Sequence, residues 1–334
     1  MKLSIVIVSW NTKALLDACL TSVYANPPEE PFEVWVVDNN SRDDSVTMVR
    51  QKFPQVNLVA SQENLGFAGG NNLAIPNCQG EYVLLLNPDT EVKPGALQEL
   101  LDFMDSHPQA GAAGSYLLNA DGTLQPSCYP APTLTREFWR MFHLDKLVPY
   151  GTYDMNRWQM DQPREVDVLM GASMLLRKTV LDRVGLLDEG YFMYSEEVDL
   201  CFRLQKAGWR LYWVPQSKVV HYWGQSTKQV VLEMFLQLYR GKLRFFRKHY
   251  GGPSVFLYKV VLGGAATTSQ QAQASWYNRG GGWHNRGGGW YNRGGGWANR
   301  GGGGWHNRSG GWANRGGSWA NRGGGSGGSW INRR

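Results

Sequence analysis

The sequence predicts an α/β fold, a sheet covered by helices on both faces. Three observations carry that expectation. Apolar, β-branched runs recur at 3–9, 32–38, 56–60, 81–86 and 111–118. Stretches of helical period separate them. The turns between them are rich in Asn, Asp, Gly and Pro. Strands alternating with helices argue for parallel pairing.

Residues 3–9 read as the first buried strand. They do not read as a signal sequence, because only Lys2 precedes them, no small-residue cleavage site follows, and polar Ser9 and Asn11 come close behind. A helix over 12–25 comes next, with Thr12 as its cap and Leu15, Leu16, Leu20 and Val23 on one side. After strand 32–38, Ser41 can cap a helix that holds Asp43 and Asp44 in its first turn, where the dipole favours anions. Strand 56–60 leads to a Gly-rich turn, Asn64 to Gly70, which opens a helix to about Asn77. Strand 81–86, a helix from Pro94 to Met104 and strand 111–118 complete this half.

Residues 119–165 lose the rhythm, interrupted by Pro126, Pro130, Pro132, Pro149 and Pro163. Long irregular segments inside a domain are often lids or binding loops. Regular structure resumes at 166–177, in a helix over 198–207 stopped by Gly208, and in strand 210–214 before the loop that carries His221. Residues 228–250 form a helical pattern whose later turns hold Arg240, Lys242, Arg244, Arg247 and Lys248. Two readings stand for it: a helix packed on the domain with a solvated basic face, or a helix lying on an anionic membrane surface and extended by apolar 255–262. No uncharged apolar run approaches the ~20 residues needed to span a bilayer.

Charge divides the chain. Residues 276–334 hold nine Arg and no Asp, Glu or Lys; taking those nine from the net +6 leaves residues 1–275 at −3. The body is mildly acidic, so nucleic acid is not expected as its partner. Cys19, Cys78, Cys128 and Cys201 lie far apart with no Cys-x-x-Cys pair, and read as buried free thiols in a reducing cytoplasm.

Two strands end in an aspartate: Asp38 after 34–37, and Asp89 after 82–86 by way of Asn87-Pro88. In an open α/β sheet, ligands bind beyond the carboxyl ends of strands. A carboxylate there can hold a divalent cation, which a departing diphosphate needs. Read in order, Ser4 to Asn11, Val37 to Ser41, Asn64 to Asn72, Asn87-Pro88-Asp89, Phe192 to Leu200 and His221 resemble a family 2 glycosyltransferase of the GT-A fold, nearest its rhamnosyltransferase-like branch. The resemblance covers about residues 1–250 and implies a Rossmann-like mixed sheet.

It further implies a nucleotide-sugar donor, a glycan or lipid-linked acceptor, and Mg²⁺ or Mn²⁺ as cofactor. Ser9, Asn11, Asp38, Asn40, Asn64, Gly66, Asn71 and Asn87 would line the donor nucleotide, with the glycines allowing its close approach. Asp89 and His221 would hold the metal. Glu196-Glu197 stands where the family usually has Glu-Asp, so Glu197 would be the general base, one methylene longer than usual. A helix N-terminus is expected to keep it ionised. The same residues have plainer readings: Asp38 as a turn aspartate, the glutamates as capping groups, and Asp199 with Arg203 as an i, i+4 ion pair.

Four segments result: a GT-A body at 1–227, a basic amphipathic segment at 228–262 that can lie peripherally on the inner membrane face, a linker at 263–275 and a tail at 276–334. The tail repeats Trp-x-Asn-Arg eight times between glycines. It cannot bury enough surface to offset chain entropy and is expected to be disordered alone. It reads as an aromatic–arginine tail that stacks on single-stranded nucleic acid, as a membrane- or glycan-binding tail, or as a substrate of a modifying enzyme. For the last, it resembles glycine-rich precursor peptides whose Trp-x-Asn triplets radical enzymes crosslink. Two other functions compete with transfer. A sugar nucleotidyltransferase would want a basic Gly-rich loop after strand one, where Ser9-Trp10-Asn11-Thr12 stands. A display or interaction protein would place its function in the tail.

Overall fold

The structure, a computed structural model, describes residues 1–222 and 231–268 and short stretches at 283–285, 290–292, 298–299, 305–306, 312–315 and 318–321. The chain forms two units, Met1–Tyr258 and Lys259–Arg334.

In the first unit, β1 (Leu3–Ser9), α1 (Lys13–Ala25), β2 (Phe32–Asp38), α2 (Ser45–Lys52), β3 (Asn57–Ala60), α3 (Gly66–Ala74) and β4 (Tyr82–Leu86) follow the expected alternation. Then come β5 (Thr90–Val92), α4 (Ala96–Ser106), β6 (Ala110–Leu118), β7 (Cys128–Tyr129), α5 (Leu134–Met141), β8 (Arg164–Glu165), β9 (Val168–Leu169), β10 (Ser173–Arg177), α6 (Lys178–Val184), α7 (Glu196–Lys206), β11 (Arg210–His221), α8 (Val231–Tyr250) and α9 (Gly252–Thr268). One mixed sheet runs β3-β2-β1-β4-β10-β6-β11-β5, with β8 on β11. Its first four strands are parallel. β10 enters antiparallel between β4 and β6, so the purely parallel sheet suggested by the alternation holds for one half only.

Strand alternation sorts the core. Ile5 and Ile7 join Leu16, Leu20, Leu97 and Leu101 on one face, while Val6 joins Ala68, Ile75, Leu200 and Leu204 on the other. Each fully buried side chain of this kind contributes about 1.5–3 kcal/mol. All four cysteines are free and buried. Burial pushes the Cys19 and Cys201 thiols up to about 12, which makes them packing groups and poor nucleophiles.

Three local expectations need correction. Thr12 sits at the N-cap of α1 but makes no side-chain capping bond; its Oγ1 meets Ser9 Oγ at 2.9 Å. Ser41 caps no helix, because α2 begins only at Ser45 and Ser41 Oγ accepts from Asn11 N at 2.9 Å. β11 continues far past residue 214. Its pairing with β6 is irregular between Val214 and Lys218, where Pro215 offers no N–H, and then resumes to the strand end.

α8 is bound to the body by its own charges. Lys242 Nζ donates to Glu137 Oε2 at 2.9 Å, Arg244 and Lys248 reach Asp188 at 2.8 and 2.7 Å, and His249 reaches Asp199 at 2.7 Å. Arg240 and Arg247 stay exposed. Among the described residues, no helix is long and apolar enough to cross a membrane. Residues 223–230, most of the linker and much of the tail expectation lie outside the described residues. The described tail pieces are antiparallel two-stranded ladders, such as Trp283–Asn285 against Trp290–Asn292 and Trp312–Arg315 against Ser318–Asn321. Isolated ladders of this size are marginal in water.

Candidate active site

The parallel register brings the exits of three strands to one edge. Ser9 pairs with Asp38, and Ile7 with Leu86. Beyond that edge the loops bond to one another. Asn39 N donates to Ser9 O at 2.8 Å, Arg42 N to Asn11 Oδ1 at 2.8 Å, and Ser41 N to Asp38 Oδ2 at 2.9 Å. Asn11 and Asn40 hold positive φ of 51° and 63°, which Asn tolerates better than most residues. Asp38 is therefore a turn aspartate with one oxygen. Its Oδ1 is buried and has no partner among the described residues, and the same is true of Asn39 Oδ1. Two orphan acceptors at a strand exit fit a ligand that donates, as a base or ribose hydroxyl does.

The Gly-rich segment serves the protein itself. Asn64 Oδ1 accepts from Gly66 N at 3.0 Å, and Asn71 Nδ2 donates to Phe67 O at 2.9 Å. A Cβ on Gly66 would lie 2.1 Å from Phe192 O, and one on Gly70 would lie 2.6 Å from Val8. These two glycines are required by close protein contacts, where sequence reasoning invoked approach to the nucleotide. Phe67 N donates to Phe192 O at 3.0 Å and ties α3 to the turn that leads into α7.

Asn87, Asp89 and His221 come together. β5, which had no signal in the sequence, turns back from Asp89 and pairs antiparallel with β11, setting His221 opposite Thr90. Tyr222 N donates to Asp89 O at 2.9 Å. His221 Nε2 lies 3.3 Å from Asp89 Oδ1 and 3.4 Å from Asn87 Nδ2, in a site where Asp89 is 6% and His221 3% exposed. An oxygen and an imidazole nitrogen side by side fit one divalent cation. Among the described residues, no group of three or more His, Cys, Asp or Glu is gathered. Two protein ligands leave room for phosphate oxygens and water.

The glutamates open α7. Ahead of them, Tyr194 and Ser195 hold consecutive positive φ of 69° and 74°, a costly backbone for residues with a Cβ. Gly241 of α8 lies against this turn, where a Cβ would meet Tyr194 O at 2.7 Å. Glu196 is buried; Glu197 keeps some exposure, yet the Oε2 of each is closed off and has no partner among the described residues. Burial raises both carboxyls above the ordinary glutamate range, and for Glu196 repulsion from Glu197 adds to it. The backbone N–H groups at the helix start pull Glu197 down, but less strongly. Desolvation thus opposes the pull of the helix end toward the ionised form of Glu197 and is the larger of the two. Gly171 links the two carboxylate groups. Positions for its missing Cβ lie 3.3 Å from the Phe67 ring and 3.7 Å from Glu197 Cβ, and the neighbouring Ala172 O accepts from Asn87 N at 3.0 Å.

Sequence reasoning missed Gly171, Gly241 and Gln125, whose Oε1 lies 2.6 Å from His221 Nδ1. Only Gly171 carried a local signal, as a glycine among apolar residues. Asp199 does pair with Arg203 at 2.7 Å, and it also takes Lys248 and His249.

Comparison with known proteins adds an independent line. Residues 4–183 match the pattern described as glycosyl transferase family 2. An N-acetylglucosaminyl-diphospho-decaprenol L-rhamnosyltransferase of Mycobacterium tuberculosis is 33% identical over 67% of this chain and 77% of its own length. Rhamnosyltransferase WbbL of Escherichia coli is 27% identical over 65% of this chain and 82% of its own. The mannosyltransferase PcManGT of Pyrobaculum calidifontis, solved with GDP-Man and Mn²⁺, superposes with a TM-score of 0.54 at 17% identity, over 82% of this chain and 76% of its own. That likeness shows a shared fold.

Proposed function

The chain belongs to glycosyl transferase family 2, and on that premise we propose that it transfers a hexosyl or rhamnosyl group from a nucleotide-diphosphate sugar to a hydroxyl of a glycan or lipid-linked acceptor, with inversion and with a divalent metal. The observation that carries this reading is the meeting of Asp89 with His221 at 3.3 Å, at the edge where Asp38 keeps an unpartnered oxygen. The mycobacterial relative is named for a lipid-diphosphate acceptor, which supports an acceptor of that class in cell-envelope polysaccharide synthesis. Nucleotide-sugar chemistry and four free thiols both suit the cytoplasmic side of a membrane.

Asp38 and Asn39 would hold the nucleoside through their open oxygens. Asp89 and His221 would hold Mg²⁺ or Mn²⁺ together with the donor diphosphate. Bound there, the ion supplies charge neutralisation for the leaving diphosphate. Glu197, ionised, takes the proton of the acceptor hydroxyl, whose oxygen attacks the anomeric carbon from the face opposite the diphosphate. A carboxylate with a raised pKa is a stronger base once ionised, so desolvation at α7 serves the reaction. Burial and repulsion from Glu197 raise Glu196 next to it, so a second charge beside the base is disfavoured.

The test is a thermal-shift screen of nucleotide sugars with and without Mn²⁺, because a bound donor stabilises the fold. Transfer with the stabilising donor is then followed by NMR of the product anomer. Inverted product, loss of turnover with EDTA and loss in Asp89→Ala without unfolding are the expected results. Retained configuration removes the single-displacement reading, and full activity in EDTA removes the metal.

For the tail, the reading we propose is crosslinking within Trp-x-Asn triplets by a separate enzyme. It is supported by an Asn two residues after Trp in each of the eight repeats, which stacking alone would not need. Intact mass from the native host tests it: two hydrogens lost per ring is expected, and an unmodified mass overturns it.

A further inference from the structure

We propose that Gln125 is a positioning residue that fixes the ring of His221 with its proton on Nδ1 and its lone pair on Nε2, the atom facing Asp89. The proposal rests on reading Asp89 and His221 as the cation-binding pair.

Main-chain carbonyls decide the orientations of two side-chain amides, those of Asn119 and Gln125. A carbonyl only accepts, so the amide atom opposite it must be the NH₂. Asn119 Nδ2 lies 3.2 Å from Leu124 O and 3.0 Å from Thr123 Oγ1, which turns its oxygen toward Gln125. Gln125 Nε2 lies 3.1 Å from His221 O and 3.0 Å from Asn119 Oδ1. Both contacts demand the same orientation, so Gln125 presents Oε1 to the imidazole, 2.6 Å from Nδ1. An oxygen at that distance needs a hydrogen from the ring, and Nδ1 must supply it. The neutral ring then carries its lone pair on Nε2.

That lone pair faces a carboxylate oxygen 3.3 Å away, an arrangement of two acceptors that a shared cation or a proton on Nε2 would hold together. The long Asn87 Nδ2 contact at 3.4 Å is compatible, since Nε2 would accept it. Gln125 thus grips residue 221 at two points, the main-chain carbonyl and the ring. It is itself 5% exposed and anchored by its backbone N to Leu117 O at 2.9 Å, at the end of β6, the parallel neighbour of β11. The relay from Leu124 O through Asn119 and Gln125 reaches His221 from outside the proposed ligand pair.

The first measurement is ¹⁵N NMR of the histidine-labelled, metal-free full chain, with His221→Ala to assign the signal. The Nδ1–H tautomer is expected for His221, and a dominant Nε2–H tautomer overturns the proposal without any variant of Gln125. The second is a free-Mn²⁺ titration by electron paramagnetic resonance, with Mn²⁺ alone and with inorganic pyrophosphate. Gln125→Leu removes both grips and is expected to mix the tautomers and weaken Mn²⁺ about tenfold or more. Gln125→Glu keeps an acceptor for Nδ1 and is expected to recover most of that loss. If Gln125→Leu binds Mn²⁺ as the parent does while His221→Ala does not, the positioning role is wrong. If His221→Ala also binds as the parent, the cation pair is wrong, and the tautomer measurement still decides what Gln125 does.

Discussion

Neighbouring carboxylates in the first turn of one helix, α7, are treated in opposite ways. Asp199 is fully buried and meets Arg203, Lys248 and His249, each within 2.8 Å. Burial alone would raise it, but Lys248, Arg203 and His249 bring it below the ordinary aspartate value. Three and two residues earlier, Glu196 and Glu197 bury oxygens with no partner among the described residues, and both carboxyls are raised. A carboxylate given several cations holds structure together. A carboxylate deprived of them costs stability and gains basicity, which is how catalytic groups are commonly set. The contrast fits two duties within one turn of α7: Asp199 anchors α8, and Glu197 is the proposed base.

The largest effect should come from Glu197→Gln. Turnover should fall about 10²–10⁴-fold with no loss in the unfolding midpoint; near-normal turnover would remove Glu197 as the base and erase the contrast. Asp199→Ala should do the reverse. It leaves Arg203, Lys248 and His249 around an empty site and should cost about 3–5 kcal/mol in denaturant unfolding, as breaking a buried pair does.

A pH series sharpens the point at α8's other anchor. Against burial, which raises it, Lys248 and Arg244 hold Asp188 down at about 2. A depressed aspartate stabilises the fold above its unfolded pKa and loses that contribution as pH falls through the folded value. Unfolding measured from about pH 4 to pH 2 should therefore show a loss of about 1–2 kcal/mol, absent in Asp188→Asn. The smallest effect is expected from Glu196→Gln. A glutamate raised in the fold stabilises when protonated, and stability drains as pH rises through its folded pKa. The amide does not titrate, so the variant should gain on the order of 1 kcal/mol at alkaline pH and none at acid pH. The acid limb of the pH–rate profile should lie above the ordinary glutamate range, and a limb at or below that range would contradict the raised Glu197.

Much of this was legible in the chain. β1, β2 and β4 announce themselves as buried β-branched and Leu runs, and each exit residue follows from the run that precedes it. Asp38, Asp89 and the Glu196-Glu197 pair could be singled out as candidates because motif order reinforces local pattern. What could not be read depends on distant partners. β5 has only three residues and exists because β11 accepts it. Ser41 looks like a cap but is claimed by Asn11 from the neighbouring loop. Gln125 lies in an aperiodic, proline-rich stretch, and only the placement of His221 gives it meaning. The glycines at 66 and 70 suggested a ligand's approach, while the nearest atoms belong to Phe192 and Val8.

The contact of Gly66 with Phe192 reaches beyond packing. With a notional Cβ only 2.1 Å from the Phe192 carbonyl oxygen, the segment expected beside the donor and the turn that leads to the proposed proton acceptor are in close contact. Chimeras that exchange 64–72 for another enzyme's segment would have to import the matching 191–195 as well. Donor preference and acceptor chemistry would then tend to be inherited as a pair.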